Sequence, residues 1–335
     1  SVPYGARQAV LVKIAEAKKK LGVLADGPVI SCYEAGRDGF WIDRWLRSEG
    51  IENLVVDSSS IEVNRRRRRA KTDRLDAEKL VVMLLRYKQL GDRVIWKVVR
   101  VPSEAAEDAR RTDRELSRLK KERSAHVTRI KALLVTQGIK VKGVKHLNLG
   151  RLRDWKGTTL GERLLKELQR EQERLEGIGR QIEQLEEAQL QALSEPVTPA
   201  DRVAAKLHSL RSLGPVTSST LSHEFFAWRD FKNVRQVGGC AGLTGTPYDS
   251  GETAREQGIS KAGNKRVRTV AIELAWRWVR YQPDSELTQW FQRRFASGGK
   301  RMRRIGIVAL ARKLLVALWK YLEFEEAPAG AMLKA

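Results

Sequence analysis

Two short β-rich runs, VISCYE (residues 29–34) and NLVVDSS (residues 53–59), flank a segment with helical periodicity, GFWIDRWLRSEG. Phe40, Ile42, Trp45 and Leu46 recur at helical spacing, and Gly50 supplies a stop. Strand, helix, strand at this length predicts a parallel βαβ unit, because parallel neighbours need a crossover that a tight turn cannot make. The front of the chain is therefore read as α/β. Helices are expected before it, over residues 6–22, and after it, from about Asp73 to Lys88.

The remainder reads as mainly helical. A long helix is expected from Ser103 to Gly138, with Ser103 as cap and Leu116, Leu119, Val127, Ile130 and Leu134 as its apolar stripe. A Gly/Lys-rich connection follows, and then a second long helix over residues 160–193. There Leu168, Leu175 and Ile182 repeat every seven positions, while Ile178 and Leu185 fill the alternate seam. Between Glu162 and Glu187 eight acidic residues outnumber five basic ones, so this coiled-coil-like stretch is expected to pair helices rather than touch a polyanion. Pro196 and Pro199 mark a linker. The expected organisation is an α/β domain over 1–100, long helices over 101–195, a mainly helical domain over 196–325 and a tail over 326–335.

Charge narrows the function. Lys+Arg number 64 against 41 Asp+Glu, a net +23 in a chain that is 41% hydrophobic and therefore able to fold. Such an excess predicts a polyanionic partner. No run of apolar residues is long enough to span a bilayer, since IGIVALARKLLVALW is interrupted by Arg312 and Lys313 and reads as a buried helix. Nucleic acid is the expected partner and the cytoplasm, beside the nucleoid, the expected place. Cys32 and Cys240 stand alone, which supports neither a disulfide framework nor a cysteine zinc site. His126, His146, His208 and His223 are scattered and read as packing or surface residues.

The densest positive charge, Arg65, Arg66, Arg67, Arg68 and Arg69, with Lys71, leads directly into Asp73 and Asp76. Residues three apart share a helix face, with Cβ atoms roughly 5–6 Å apart. Two carboxylates so placed either begin a helix as caps or share a divalent cation; the motif alone favours capping. Glu34 shifts that balance. It ends a predicted parallel strand, where ligands collect in open α/β sheets. An acid at a strand end, then helix, strand and a helix bearing two acids is the order of ribonuclease-H-like nucleases, which work with two metals. Asp57 is a weaker candidate, in a DSSS stretch leaving the sheet.

Towards the C-terminus, LHSLRSLGPVTSSTLSHE reads as helix, Gly-Pro turn, helix, a hairpin able to offer backbone N–H groups to phosphate or simply to pack. Glycines and small polar residues then run to Gly263. Asn264 caps the next helix, whose head is basic: Lys261, Lys265, Arg266 and Arg268. Ser250 lies in YDSGE with Arg255 nearby; by its residues alone it reads as a turn serine.

Taken in order, CYEAGRDGFW, KTDRLDAEKL, LRSLGPVTSSTL, AGLTGTPYDSG, REQGISKAGNKRVR and GGKRMRRIGIVALARKLL resemble the insertion-sequence transposases with a RuvC-like DEDD domain and a C-terminal serine-containing domain. The resemblance spans essentially the whole chain. It implies a ribonuclease-H-like domain, with Glu34, Asp73 and Asp76 as three of four acids binding Mg2+ and Ser250 as a nucleophile forming a transient phosphoserine link to DNA. It also implies donor and target DNA, an element-encoded noncoding guide RNA, and dimers that combine into a tetramer in which acids and serine come from different subunits. One departure stands out. The family's first acid lies on an initial strand, and no such strand precedes Glu34; Asp26 sits in a Gly-Pro turn. With Ser1 rather than Met at the start, the expectation is a trimmed or defective front end and an incomplete metal site. The alternatives at this stage are a metal-only junction nuclease and a non-catalytic nucleic-acid-binding protein.

Overall fold

The computed structural model describes residues 2–334 apart from 4, 37, 62–72, 93 and 251–252, and apart from the side chains of 73, 247–250 and 253–257. The chain divides into two compact units, at Val101/Pro102.

In the first unit, helix α1 (Arg7–Lys20) precedes strand β1 (Ile30–Glu34), helix α2 (Trp41–Ser48), strand β2 (Glu52–Val56) and helix α3 (Asp73–Gln89). The two strands are parallel, from Ile30 opposite Glu52 to Glu34 opposite Val56. Residues 97–99 run antiparallel along the other side of β2, with Val98 bridging Val56. The helix α2 crossover is fixed by its buried Asp43, whose carboxylate accepts from Arg47 Nε at 3.0 Å and Asn53 Nδ2 at 2.8 Å. Helix α3 lays Leu80, Met83, Leu84 and Tyr87 over Cys32, Leu54 and Val56, with Trp96 closing the small core. Burial pushes the Cys32 thiol up to about 11, so it packs as an inert thiol.

The second unit begins with one short helix and two long ones. The expected single helix from Ser103 is broken at Ala109 into α4 (Glu104–Asp108) and α5 (Arg110–Val135). Ser103 caps the first, accepting from Ala106 N at 3.1 Å. The long helix α6 (Glu162–Ser194) pairs with α5 within the chain. Their seam carries Leu116, Leu119 and Ile182 at one end and Ile130, Leu134 and Leu168 at the other. The Gly/Lys-rich connection is more than a linker, because Val144, Leu149 and Leu160 close that second cluster. A buried Glu171 ties the pair together, accepting from His126, Arg129 and Arg174.

A helical core follows: α7 (Pro199–His208), α8 (Pro215–Leu221), a π-helical turn (Ser222–Phe226), α9 (Val234–Cys240), α10 (Lys265–Tyr281), α11 (Glu286–Phe295) and α12 (Lys300–Phe324). Thr198 and Asp201 form a reciprocal capping box on α7, with Pro199 at its first position. Helix α12 runs through the centre and buries Ile307, Leu310, Leu314, Leu315 and Leu318 among the other helices. Each such side chain contributes about 1.5–3 kcal/mol of transfer free energy. The last residues are docked rather than trailing. Buried Gln282 donates to Met332 O at 2.9 Å and accepts from Met332 N at 2.7 Å, and Leu333 bridges Leu210.

Between α9 and α10 the structure departs from the sequence reading. The glycine-rich stretch forms an antiparallel hairpin, β3 (Gly245–Ser250) and β4 (Thr253–Ile259), with a register shift between Gly245 and Pro247. Glycines and a proline hid it: they lower strand propensity, and here they sit at the hairpin's base and its irregularity.

Candidate active site and nucleic-acid interface

Glu34 is the last residue of β1 and is exposed. Asp73 and Asp76 occupy the first turn of α3. The direction of that helix follows from its contacts. Lys88, near its end, pairs with Glu52 at the beginning of β2, while Leu80 O accepts from Cys32 Sγ midway along β1. Helix α3 therefore runs antiparallel to the strands, and its first turn lies towards the edge at which β1 ends. The other acids of this unit are mostly engaged. Asp43 is bound by Arg47, Asp92 pairs with Arg86, Glu78 pairs with Arg74, and Asp57 Oδ1 caps a 3-10 turn by accepting from Ser59 N at 2.9 Å. The carboxylates of Glu34 and exposed Asp76 have no hydrogen-bond or ion-pair partner among the described residues. The Asp73 side chain is outside the described residues, and so are Arg65–Arg69 and Lys71. Among the described residues no group of three acids, histidines or cysteines is close enough to hold a metal.

In the second unit, Ser250 is the last residue of β3, opposite Thr253, and Arg255 lies on β4 opposite Tyr248. Ser250 thus ends a strand, where the residues alone suggested a turn. Beyond the hairpin, Lys261 adopts a left-handed conformation at φ 56°, and Gly263 at φ 118° brings the chain against Cys240 O. A Cβ at position 263 would clash with that carbonyl, so only glycine lets the loop close onto α9. Asn264 caps α10, its Oδ1 accepting from Arg266 N at 2.9 Å and Val267 N at 3.3 Å. Lys261 and Lys265 are exposed. Arg268 is turned inward, donating to Ala241 O at 3.2 Å, and Arg266 Nε lies 3.9 Å from Glu224 Oε1.

Sequence reasoning did not single out the polar core behind this loop. Glu224, fully buried in the π-helical turn, accepts from Arg114 Nε at 2.7 Å and Nη2 at 3.0 Å, and from the Asn264 amide at 3.1 Å. Burial alone would raise its carboxyl. The Arg114 hydrogen bonds and charge, with the Asn264 bond, outweigh that and hold it below the usual carboxylate range. Beside it, buried Asp113 accepts from Gln189 Nε2 at 2.6 Å and from His223 Nδ1 at 2.8 Å. A histidine and an acid set directly before Phe225 and Phe226 were the available signal.

The Gly-Pro hairpin is present as α7 and α8, but not as a phosphate site. Thr217, Ser218, Ser219 and Thr220 at the head of α8 are buried, and Arg277 Nη1 already donates to Thr217 Oγ1 at 3.2 Å. It is a packing element.

Residues 204–289 match the family model for the "Transposase IS116/IS110/IS902 family". A Sinorhizobium fredii (strain NBRC 101917 / NGR234) protein named "Putative transposase y4rJ" is 42% identical over 339 residues, covering 97% of this chain and 85% of its own. A second protein of that strain, "Putative transposase y4qE", is 32% identical across 76% of this chain and 60% of its own length. The Yersinia enterocolitica "Transposase for insertion sequence element IS1328" is 25% identical across 42% of this chain and 40% of its own. These matches place the chain among transposases. Within that class, this chain is a member of the IS116/IS110/IS902 transposase family. No helix among the described residues is long and apolar enough to cross a membrane.

Proposed function

We propose that this transposase works at the bacterial nucleoid, cutting and rejoining DNA through a phosphoserine intermediate. Ser250 is the nucleophile, and Glu34, Asp73 and Asp76, on a ribonuclease-H-like unit, hold Mg2+. The observation that carries this reading is the pair of unpartnered carboxylates, Glu34 at the end of a parallel strand and Asp76 on a helix whose first turn lies towards the same edge. Hard carboxylate oxygens left free of internal partners are the kind of donor that Mg2+ takes, which supports Glu34 and Asp76 as residues that would hold it. Bound there, it supplies positive charge against phosphate oxygens and favours the deprotonated form of an attacking hydroxyl.

In the serine step, the Ser250 Oγ–P bond forms as one P–O bond to a sugar oxygen breaks. The serine proton leaves to solvent or a nearby base, and the released sugar oxygen takes up a proton. Attack by a sugar hydroxyl of another strand reverses these changes and frees the serine. The phosphodiester energy is conserved, so rejoining needs no nucleotide cofactor. Exposed Lys261, Lys265 and Arg266, with Arg65–Arg69, Lys71 and Arg255, steer and hold phosphates, while Arg268, turned inward onto Ala241 O, supports the loop behind them. The same reading includes an element-encoded guide RNA and a dimer or tetramer that joins acids and serine from different subunits; its support is the likeness carried by AGLTGTPYDSG and REQGISKAGNKRVR.

The test is adduct trapping. With element-end DNA and RNA made from the element, the wild-type chain leaves a denaturant-resistant protein–DNA adduct. Ser250→Ala binds the DNA and leaves none, and Glu34→Gln leaves the adduct strongly reduced. An adduct that survives Ser250→Ala refutes the serine step, and sequencing of co-purified RNA that returns only random fragments refutes the guide.

A further inference from the structure

A groove of about 920 Å³ lies between α12, α11 and the base of the β3–β4 hairpin. Its rim carries Arg304, Arg312, Lys313 and Lys320, all from α12, and none of its described lining residues is acidic. None of these four cations has a carboxylate or hydrogen-bond partner among the described residues; Lys313 Nζ lies over the Trp290 ring, 4.8 Å from its centroid. Arg304, Arg312 and Lys320 are spaced eight residues apart, about 12 Å per step along the helix. The floor between them is apolar: Val308 and Val316 from α12, Leu243 ahead of the hairpin and Ile259 at its end.

We infer that this groove seats an unpaired DNA strand, with phosphates on the α12 cations and bases against the apolar floor and Trp290. A duplex keeps its bases stacked and would meet only the rim, leaving the floor without a partner. An unpaired strand has both chemistries, charged phosphates and flat apolar faces, side by side. The acidic helix of a second copy is a poorer occupant, because α6 already spends its apolar seam on α5. Gly245, at the groove, and Ser250 are the two ends of β3, five residues or about 16 Å apart. A strand leaving the groove along the hairpin is thereby led towards the serine. The inference rests on the reading that this chain acts on DNA, and it adds a site that holds a strand after the helix opens.

Fluorescence anisotropy of the full chain with labelled oligothymidylate, with the matching duplex and with oligouridylate tests it. Arg304→Gln/Lys313→Gln/Lys320→Gln alters only exposed side chains. It should weaken single-stranded DNA binding about tenfold and lower the slope of log affinity against log salt by about 2, at about 0.7 per lost phosphate contact. Duplex binding should change less than about twofold. Val316→Trp, which fills the floor and keeps the charge, should weaken single-stranded binding without altering the slope. Unchanged single-strand affinity and slope overturns the inference. So does an equal loss for duplex, a tighter fit for oligouridylate lost in the same variant, or a change of oligomeric state on sedimentation that marks a second copy as occupant. Absence of binding to any DNA by the wild-type chain overturns both this and the parent reading.

Discussion

Arg114 on α5 grips both carboxylate oxygens of Glu224, 110 positions away in sequence, at 2.7 and 3.0 Å. Glu224 in turn holds the cap residue of the basic helix α10, through Asn264 Nδ2. This buried acid joins the long helix pair to the hairpin-bearing core, beside the Asp113–His223 bond that links the same two parts. Removing the arginine leaves a buried charge with the Asn264 bond and the more distant charges of Arg110 and Arg266. Arg114→Met should cost about 3 kcal/mol, the lower end for breaking a buried pair, because those partners remain. Urea unfolding measures it; a loss below about 1 kcal/mol would mean that solvent reaches Glu224.

The same network sets a pH optimum for stability. Glu224 is held below its ordinary 4.5, so its contribution is present above that value and disappears as pH falls through the folded one. His223 behaves in the opposite sense. Burial lowers its pKa, but Asp113, Asp201 and Glu224 together raise it above 6.5. Its contribution is complete below 6.5 and disappears as pH rises through the folded value. The urea midpoint should therefore be highest between these limits. His223→Gln should flatten the alkaline arm and leave the acid arm in place; Glu224→Gln should flatten the acid arm and, because Glu224 helps raise His223, also shrink the alkaline one.

Asn264 is marked as a cap by its place between Gly263 and the apolar run of α10, and its loss has two consequences. Asn264→Ala should cost about 1 kcal/mol for the cap and free the basic head of α10. DNA affinity should fall with it, whereas Asn264→Asp restores the cap yet places a second carboxylate against Glu224. A finding that Asp rescues stability as fully as Asn would deny the amide bond to Glu224 its role.

What the sequence made legible follows from range. The βαβ unit, the caps Ser103 and Asn264, and the apolar faces of α5, α6, α10 and α12 are written in spacings of two to four residues, and each is present in the fold. The hairpin β3–β4 was missed because Gly and Pro dominate it and its pairing, rather than its composition, makes the strands. Glu224 was missed because its meaning depends on Arg114, far away in the chain. Glu34 and the acids of α3 were legible as an order of elements. The free carboxylates of Glu34 and Asp76 could be told from the engaged Asp43 and Asp57 only once partners were visible.

Helix pairing makes a simpler contrast. Leu168 is fully buried between α5 and α6, whereas Leu190, further along the same helix, is 51% exposed. Leu168→Ala should cost about 2–5 kcal/mol. Leu190→Ala should stay within about 0.5 kcal/mol. Equal effects on the unfolding midpoint would mean that the exposed end of α6 is covered in solution.

One chemical change, glycine to alanine, should act with opposite signs at two helical sites. Gly179 lies inside α6 with nothing near its would-be Cβ. Alanine there removes backbone freedom from the unfolded chain and should stabilise by up to about 1 kcal/mol. Gly306 lies inside α12 where the ring and Cβ of Phe295 on α11 press against it. A methyl group there meets a ring that is already stacked on Phe291 and set edge-on to Trp290, so it has little room to retreat. The same gain of helix propensity is then outweighed by overpacking of about 1–3 kcal/mol. Gly306→Ala should lower the thermal midpoint while Gly179→Ala raises it. If Gly306→Ala also raises it, then α11 is not seated on α12 as tightly as the ring contacts require.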